Sequence, residues 1–286
     1  MDIEVIVPVR RRVTIDRLLR SFSRNTVRPG AIWLVTNELD AAHVVTHDLD
    51  VRLVRFESDS YPIGFNDAAL RRNVGIWAST ASHVVTFDDD QVAPPGLIQS
   101  MMRVLSATPV CWGHYRFIDV ENRTFDELMA LAPDAGRTRE TPPNAWHSWQ
   151  SAYGGLFGAQ RALVQQAGGF DMVFSGRHGG EDQNLGRRLA ALVHGGESVY
   201  VHEPPFAWHP ERAIPWDEPR YTNICRGKHD LVEGNVRGVA AQSCTRCPFY
   251  HVPDAVLAGH TVTMPFDPSQ VRIAVEQLSR VAGADS

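Results

Sequence analysis

The segment Ser82-His83-Val84-Val85-Thr86-Phe87-Asp88-Asp89-Asp90 sets three carboxylates at the end of an apolar run. Three adjacent carboxylates repel one another and are costly to hold together unless a cation neutralises them. Asp88 and Asp90, two apart and flanking a turn, can both present oxygen to one divalent ion, the ligand that Mg²⁺ or Mn²⁺ prefers. Taken alone, the cluster reads equally as a solvated acidic turn. Four further constellations bear on that choice.

Pro8-Val9-Arg10-Arg11-Arg12 ends the first apolar run. Arginine offers planar, bidentate donors suited to phosphate, although by itself the segment also reads as an exposed basic turn. Phe65-Asn66-Asp67-Ala68-Ala69-Leu70-Arg71-Arg72-Asn73-Val74-Gly75 predicts a helix of small residues in which Arg72 and Asn73 could face a ligand, or simply form the polar face of an amphipathic helix. Gly168-Gly169-Phe170-Asp171 and Ser175-Gly176-Arg177-His178-Gly179-Gly180-Glu181-Asp182 combine glycines, which allow close backbone approach, with a carboxylate pair opening a helix. That pair suits a proton acceptor beside a bound substrate, or a complement to the helix dipole. Trp208-His209-Pro210-Glu211, preceded by His202-Glu203, supplies a histidine for a mixed oxygen and nitrogen metal shell with Asp88 and Asp90.

The elements that must position these groups are legible from periodicity. Apolar runs predict strands at Ile3–Val9, Ala31–Val35, Val51–Phe56 and Val84–Phe87, and helical spacing predicts helices at Thr14–Phe22, Asp67–Ala78 and Leu97–Leu105. The order β-α-β-β-α-β-α implies a Rossmann-like α/β fold, a mostly parallel sheet flanked by helices in a single main domain. Such sheets bind ligands outside the carboxyl ends of their strands, where Asp88 to Asp90 fall. Weak periodicity and several prolines across residues 119–149 predict an insertion or loop over the sheet edge. Helices follow at Gln160–Ala167 and Asp182–Leu192, then a strand at Ser198–His202 and an amphipathic helix near Ser269–Val281. The catalytic domain is expected over 1–214, with 215–286 an extension packing on it.

At 286 residues with 43% hydrophobic and 21% charged, the composition is that of a globular domain. A net charge of −5 argues against a nucleic-acid partner. No apolar run approaches the length of a transmembrane segment, the first residues are already strand-like, and a cytoplasmic location is the expectation.

Together, from Ile3 to about Tyr221, these segments resemble the inverting, metal-dependent glycosyltransferases of the GT-A fold, notably the β-1,4-galactosyltransferase group and the bacterial chondroitin-polymerase-type enzymes of family 2. The Pro-x-Arg-x-Arg segment of that group matches Pro8, Arg10 and Arg12, and its Phe-Asn…Asn-x-Gly segment matches Phe65, Asn66, Asn73 and Gly75. Its Arg-Asn pair falls on Arg72 and Asn73, and its Asp-x-Asp motif on Asp88-Asp89-Asp90. Its Tyr…Gly-Gly strand falls on Tyr153, Gly154 and Gly155, and its Gly-Gly-Glu-Asp motif on Gly179 to Asp182. Its metal histidine falls on His209 rather than His202, because Glu218 lies at the spacing that the family shows after that histidine. A tryptophan that precedes Gly-Gly-Glu-Asp in the galactosyltransferases is His178 here.

The resemblance implies a nucleotide diphosphate sugar donor, with a UDP-sugar favoured. Pro8, Arg10, Arg12, Phe65, Asn66, Arg72, Asn73, Asp88, Asp89 and Gly155 would bind it. Mn²⁺, or Mg²⁺, would sit on Asp88 or Asp90 with His209, a histidine shifting the preference toward Mn²⁺. Asp182 would be the general base and Glu181 a partner for sugar hydroxyls. His178, Gly179, Gly180 and Glu181 would line the site of a carbohydrate or glycosylated small-molecule acceptor. Trp146 and Trp149, in the 119–149 loop, are expected to close over the sugars. A pyrophosphorylase acting on sugar nucleotides is the first alternative, although the turn after the first strand lacks its glycines; a non-catalytic carbohydrate-binding GT-A protein is the second. In the tail, Cys244 and Cys247 have zinc-knuckle spacing, and Cys225 and His229, with His251 as a substitute, would complete a structural Zn²⁺ site; reduced thiols packing the tail are the alternative.

Overall fold

In the computed structural model, residues 1–10, 12–61, 67–132, 135–138, 146–147, 155–172, 181–194, 199–200, 205–210 and 265–279 are described. Along the chain these form β1 (Ile3–Pro8), α1 (Ile15–Ser23), β2 (Ala31–Val35), β3 (Val51–Ser58), α2 (Ala68–Ala78), β4 (His83–Phe87) and α3 (Leu97–Leu105). There follow β5 (Val110–Trp112), β6 (His114–Ile118), α4 (Phe125–Met129), β7 (Arg137–Thr138), β8 (Trp146–His147), β9 (Leu156–Gln160) and α5 (Arg161–Gln166). The last elements are α6 (Glu181–His194), β10 (Val199–Tyr200), β11 (Phe206–Pro210) and β12 (Val271–Gln277).

Seven strands form the main sheet in the order β12-β3-β2-β1-β4-β9-β5. Strands β1 to β4 run parallel, while β9 and β12 run against their neighbours. The inner strands are buried on both faces, which is why their sequences are nearly continuous apolar runs. Alternation along each strand divides the core into two layers. Val5, Val7, Ile32, Leu34, Val85 and Phe87 pack with α1 and α3 through Leu18, Leu19, Phe22, Ile98 and Met101. Ile6, Trp33, Val35 and Val84 pack on the opposite face with α2 and α6 through Leu70, Val74, Leu185 and Leu189. Gly75 of α2 lies against Ile6 and Val35, where a Cβ would overlap both side chains. Close helix–sheet packing is therefore one reason for a glycine here.

Two predicted elements are corrected. The segment expected as an amphipathic helix near Ser269–Val281 is the edge strand β12, paired antiparallel with β3 from Val271↔Ser58 to Gln277↔Arg52. Its Val271, Ile273 and Val275 alternate with polar residues and alanine at period two, and the free edge of β3 supplies the partner that makes that period decisive. Within the 119–149 segment, residues 119–132 carry the helix α4, and a three-stranded sheet β11-β6-β7 stands beside the main one. Thr124 and Glu127 form a reciprocal capping box at the start of α4, a Thr-x-x-Glu signal present in the sequence.

Candidate active site

Strand β4 is an interior strand of the sheet, between β1 and β9, so the chain that leaves Phe87 enters the crevice at the carboxyl edge. Asp88, Asp89 and Asp90 take three different directions from there. Asp89 turns back, and its Oδ2 accepts from the backbone N–H of Arg10 at 2.5 Å, tying the loop after β1 to the loop after β4. Pro8 is buried in register with Val35, and the Arg10 side chain is exposed. Asp89 thus helps hold the loop after β1 in place.

Asp88 Oδ1 accepts from Arg72 Nη2 at 2.8 Å. The same guanidinium donates through Nη1 to Glu181 Oε1 at 3.0 Å. Arg72 therefore joins the acidic cluster after β4 to the carboxylate pair opening α6. Burial works against its charge, but Asp88, Glu181 and Asp182 outweigh that effect and hold its pKa above the ordinary arginine value. Glu181 is buried, and its Oε2 has no hydrogen-bond partner among the described residues. Asp182, next along the helix, is half-buried and within electrostatic reach of Arg72.

Asp90 approaches His209 instead. Val92 and Trp208 exchange backbone hydrogen bonds at 2.9 and 3.1 Å, and this bridge brings β11 alongside the acidic segment. His209 Nε2 then lies 3.9 Å from Asp90 Oδ1. His209 Nδ1 is 2.9 Å from the Pro210 carbonyl, a contact that assigns the proton to Nδ1 and the lone pair to Nε2. Two ligands of one ion at about 2.1 Å are at most about 4.2 Å apart, so Asp90 and His209 fit the donor set of a divalent ion. Among the described residues no three His, Cys, Asp or Glu side chains are close enough to hold an ion together. Asp88, expected to share in that set, is instead turned to Arg72.

Gly155 and Tyr115 complete the floor. A Cβ on Gly155 would overlap both Asp88 Oδ2 and the Tyr115 hydroxyl. The Tyr115 ring stands 5.3 Å from that of His209, and Phe117 stands 5.2 Å from it on the same strand. Burial, with Asp88 and Asp182, raises the Tyr115 pKa well above its ordinary value against the opposing charge of Arg72, so the phenol keeps its proton.

Asn73 is engaged within the fold. It is fully buried, with Nδ2 donating to the Phe170 carbonyl and Oδ1 accepting from the Phe170 N–H, both at 2.7 Å. Its amide is committed to the Gly168-Gly169 turn, where both glycines have positive φ and a Cβ on Gly169 would overlap Asn73 Oδ1. Arg188 of α6 holds the same turn through the carbonyls of Ala167 and Gly169. Arg71, one residue before Arg72, points elsewhere because adjacent helical positions diverge. It donates to Val9 O at 2.6 Å and Thr36 Oγ1 at 3.0 Å, and pairs with Asp67 at 2.7 Å, so it fixes the ends of β1 and β2. Tyr115, Arg71 and Arg188 are absent from the sequence-predicted set; Arg71 lies within the Phe65–Gly75 segment, whereas Tyr115 and Arg188 stand in no motif.

Phe65, Asn66, Tyr153, Gly154, His178, Gly179, Gly180, Trp149 and His202 lie outside the described residues, as do Glu218 and the zinc candidates Cys225, His229, Cys244, Cys247 and His251. The side chains of Arg12 and Trp146 are likewise outside them. Among the described residues no helix is long and apolar enough to cross a membrane.

No protein-family model matches the chain, and no curated protein matches it in sequence. Solved structures do match. TarS residues 1–349 from S. aureus superpose with a TM-score of 0.54 at 13% identity, over 91% of this chain and 70% of that one. The same TarS fragment in complex with UDP matches with a TM-score of 0.53 at 13% identity, over 85% of this chain and 68% of that one. Its complex with UDP-GlcNAc gives 0.52 at 14%, over 85% and 69%. At such identity the shared property is the fold: this chain has the α/β architecture of TarS, a mostly parallel central sheet flanked by helices, as in the GT-A type.

Proposed function

We propose that the chain is a metal-dependent, inverting glycosyltransferase. It would move a hexose-type sugar from a nucleotide diphosphate sugar, a UDP-sugar in the first place, to a hydroxyl of a carbohydrate or glycosylated small-molecule acceptor. The observation that carries this reading is the Arg72 bridge. It joins Asp88, at the end of β4, to Glu181, at the start of α6, and so makes two acidic motifs distant in sequence one site. The TarS complexes with UDP and UDP-GlcNAc, on the same fold, support the donor class.

Asp90 and His209 are the residues that would hold a divalent ion. Such an ion neutralises the charge that develops on a departing diphosphate. Asp182 is the general base: its carboxylate takes the proton of the acceptor hydroxyl while that oxygen bonds to the anomeric carbon. The bond from the anomeric carbon to the diphosphate oxygen breaks on the opposite face, and its electron pair leaves with the nucleotide. Glu181 is engaged by the Arg72 guanidinium. It orients Arg72 and sugar hydroxyls.

The test is UDP release from UDP-glucose, UDP-galactose and UDP-GlcNAc with Mn²⁺ and with chelator. Release that needs Mn²⁺, and a product of inverted anomeric configuration once an acceptor is found, are expected. Absence of binding to any of these donors in the presence of Mn²⁺ would overturn the reading.

A further inference from the structure

Strand β12 forms one edge of the main sheet, and among the described residues no strand lies beyond it. Its register with β3 runs unbroken from Val271↔Ser58 to Gln277↔Arg52. One step further, the Leu278 N–H donates to the Val51 carbonyl at 3.0 Å. Successive residues of an antiparallel ladder turn their backbone groups to opposite sides. Arg272, Ala274 and Glu276 therefore share the phase of Leu278 and bond to β3. Val271, Ile273, Val275 and Gln277 hold their N–H and C=O groups out along the outer edge. Natural edges are commonly blunted by proline, lysine or a bulge, and Val271–Gln277 has none of these.

The side chains of this edge are self-complementary. Val271, Ile273 and Val275 lie on one face of the strand; the first is buried, the second half-buried on the core layer of α2, and Val275 is 50% exposed. Arg272, Ala274 and Glu276 lie exposed on the other. A two-fold axis normal to the sheet sends each face onto itself, so it must pass through a residue of the strand. Centred on Ala274, it sets Val271 against the partner's Gln277 and Ile273 against the partner's Val275, so every outward backbone group of β12 finds a partner. It also sets Arg272 against the partner's Glu276, twice by symmetry, in the pairs whose side chains approach most closely. Arg272 already holds Glu57 at 3.0 Å and Asp59 at 3.2 Å while staying largely exposed, so charge alternates along the row Glu57, Arg272 and the partner's Glu276. Centring on Ile273 or Val275 instead would face Ala274 with a charged residue and leave an outward residue unmatched within the strand.

We propose that β12 is the contact of a symmetric homodimer, in which the outer edges of two copies pair antiparallel about Ala274 and join the two main sheets into one. The pairing buries Val275 on the partner's Ile273, an aliphatic β-branched pair of the kind that stabilises sheets. Strands β3, β2 and β1 separate β12 from β4, so the dimer leaves the crevice open. A strand-edge contact is smaller than a standard interface of about 1,600 Å², so association in the micromolar range is expected.

Sedimentation velocity of the full chain, from low micromolar to submillimolar concentration, reads the association directly. Wild type should pass from monomer to dimer, and a monomer throughout would overturn the proposal. Val275→Pro removes an outward N–H that β3 does not use, and should leave a folded monomer by circular dichroism. A dimer that survives this change would place the contact elsewhere and overturn the proposal. Two charge variants decide the register whether or not the proline variant folds. Arg272→Glu and Glu276→Arg, each alone, set like charges opposite at both ends and should weaken dimerisation about 2- to 30-fold, the worth of two cross-strand pairs. Mixed together, the two variants form a heterodimer in which both pairs are again opposite in sign, and association should return toward the wild-type value. A mixture no tighter than either variant alone would overturn the pairing about Ala274.

Discussion

At the scale of residues, the site is an electrostatic arrangement around one buried guanidinium. Arg72 satisfies a carboxylate on each side of the crevice, and the half-buried Asp182, the proposed base, follows Glu181 on α6. Asp182→Asn should therefore keep donor and metal affinity while turnover falls about 10²–10⁴-fold, the usual contribution of general-base assistance. Glu181→Gln should raise the acceptor KM at least as much as it lowers kcat. If the two carboxylates serve only the helix dipole, either change costs about 0.3–1 kcal/mol of stability and leaves turnover nearly unaltered; steady-state kinetics with matched melting curves separate these outcomes. The metal pair makes a second prediction. Asp90→Asn and His209→Ala should each weaken Mn²⁺-dependent UDP binding, and His209→Ala more than His202→Ala. Titration calorimetry showing equal effects of the two histidine changes would move the metal ligand away from His209.

At the scale of elements, the question is what holds the start of α6 against the end of β4. The answer is the Gly168-Gly169 turn, gripped from α2 by Asn73 and from α6 by Arg188. Left-handed φ at both glycines lets the chain reverse tightly enough for Phe170 to meet both arms of the Asn73 amide. Asn73→Ala leaves a buried N–H and a buried carbonyl without partners, and should cost about 2–4 kcal/mol in chemical denaturation. The turnover should fall as well, with UDP affinity little changed, because the displaced part is the base rather than the nucleotide site. Loss of UDP affinity comparable to the loss of turnover would instead return Asn73 to the donor pocket.

At the scale of the whole molecule, the second sheet is docked on the first by β11, the Val92–Trp208 bridge and the entry of His114 into β6. Burial, with Arg116 adding to it, holds the His114 imidazole below its ordinary pKa, and burial with the N-terminal charge does the same to His83. A depressed folded pKa means that the unfolded chain takes up protons first as pH falls. Their contribution to stability is complete above the ordinary histidine value of about 6.5 and declines as pH drops below it toward the folded values. His83 is the more exposed of the two and should contribute less. Tm measured from pH 8 to 5.5 should fall on acidification, and His114→Gln should flatten that slope. An unchanged slope would assign the acid sensitivity to other groups.

Much of this was determined by the sequence alone. The parallel strands announce themselves because a strand buried on both faces must be apolar throughout, and the helices because one stripe must meet the sheet. The acidic cluster after β4, the pair opening α6, and His209 are readable because their chemistry is carried by residue type. Tertiary structure decided the rest. Residues 271–277 are a strand because β3 offers an edge, and no local signal outweighs a partner that is distant in sequence. Arg71 and Arg72 are equivalent as letters, yet a 100° step around α2 sends one to the ends of β1 and β2 and the other to the carboxylates. Asn73 has the composition of a ligand-binding residue, but the approach of Phe170 consumes its amide. Asp88 and Asp90 differ in role because Arg72 reaches the first and β11 delivers His209 to the second. Residue types set which chemistry is available; long-range contacts, each a hydrogen bond or a close approach between distant segments, set which atom is used.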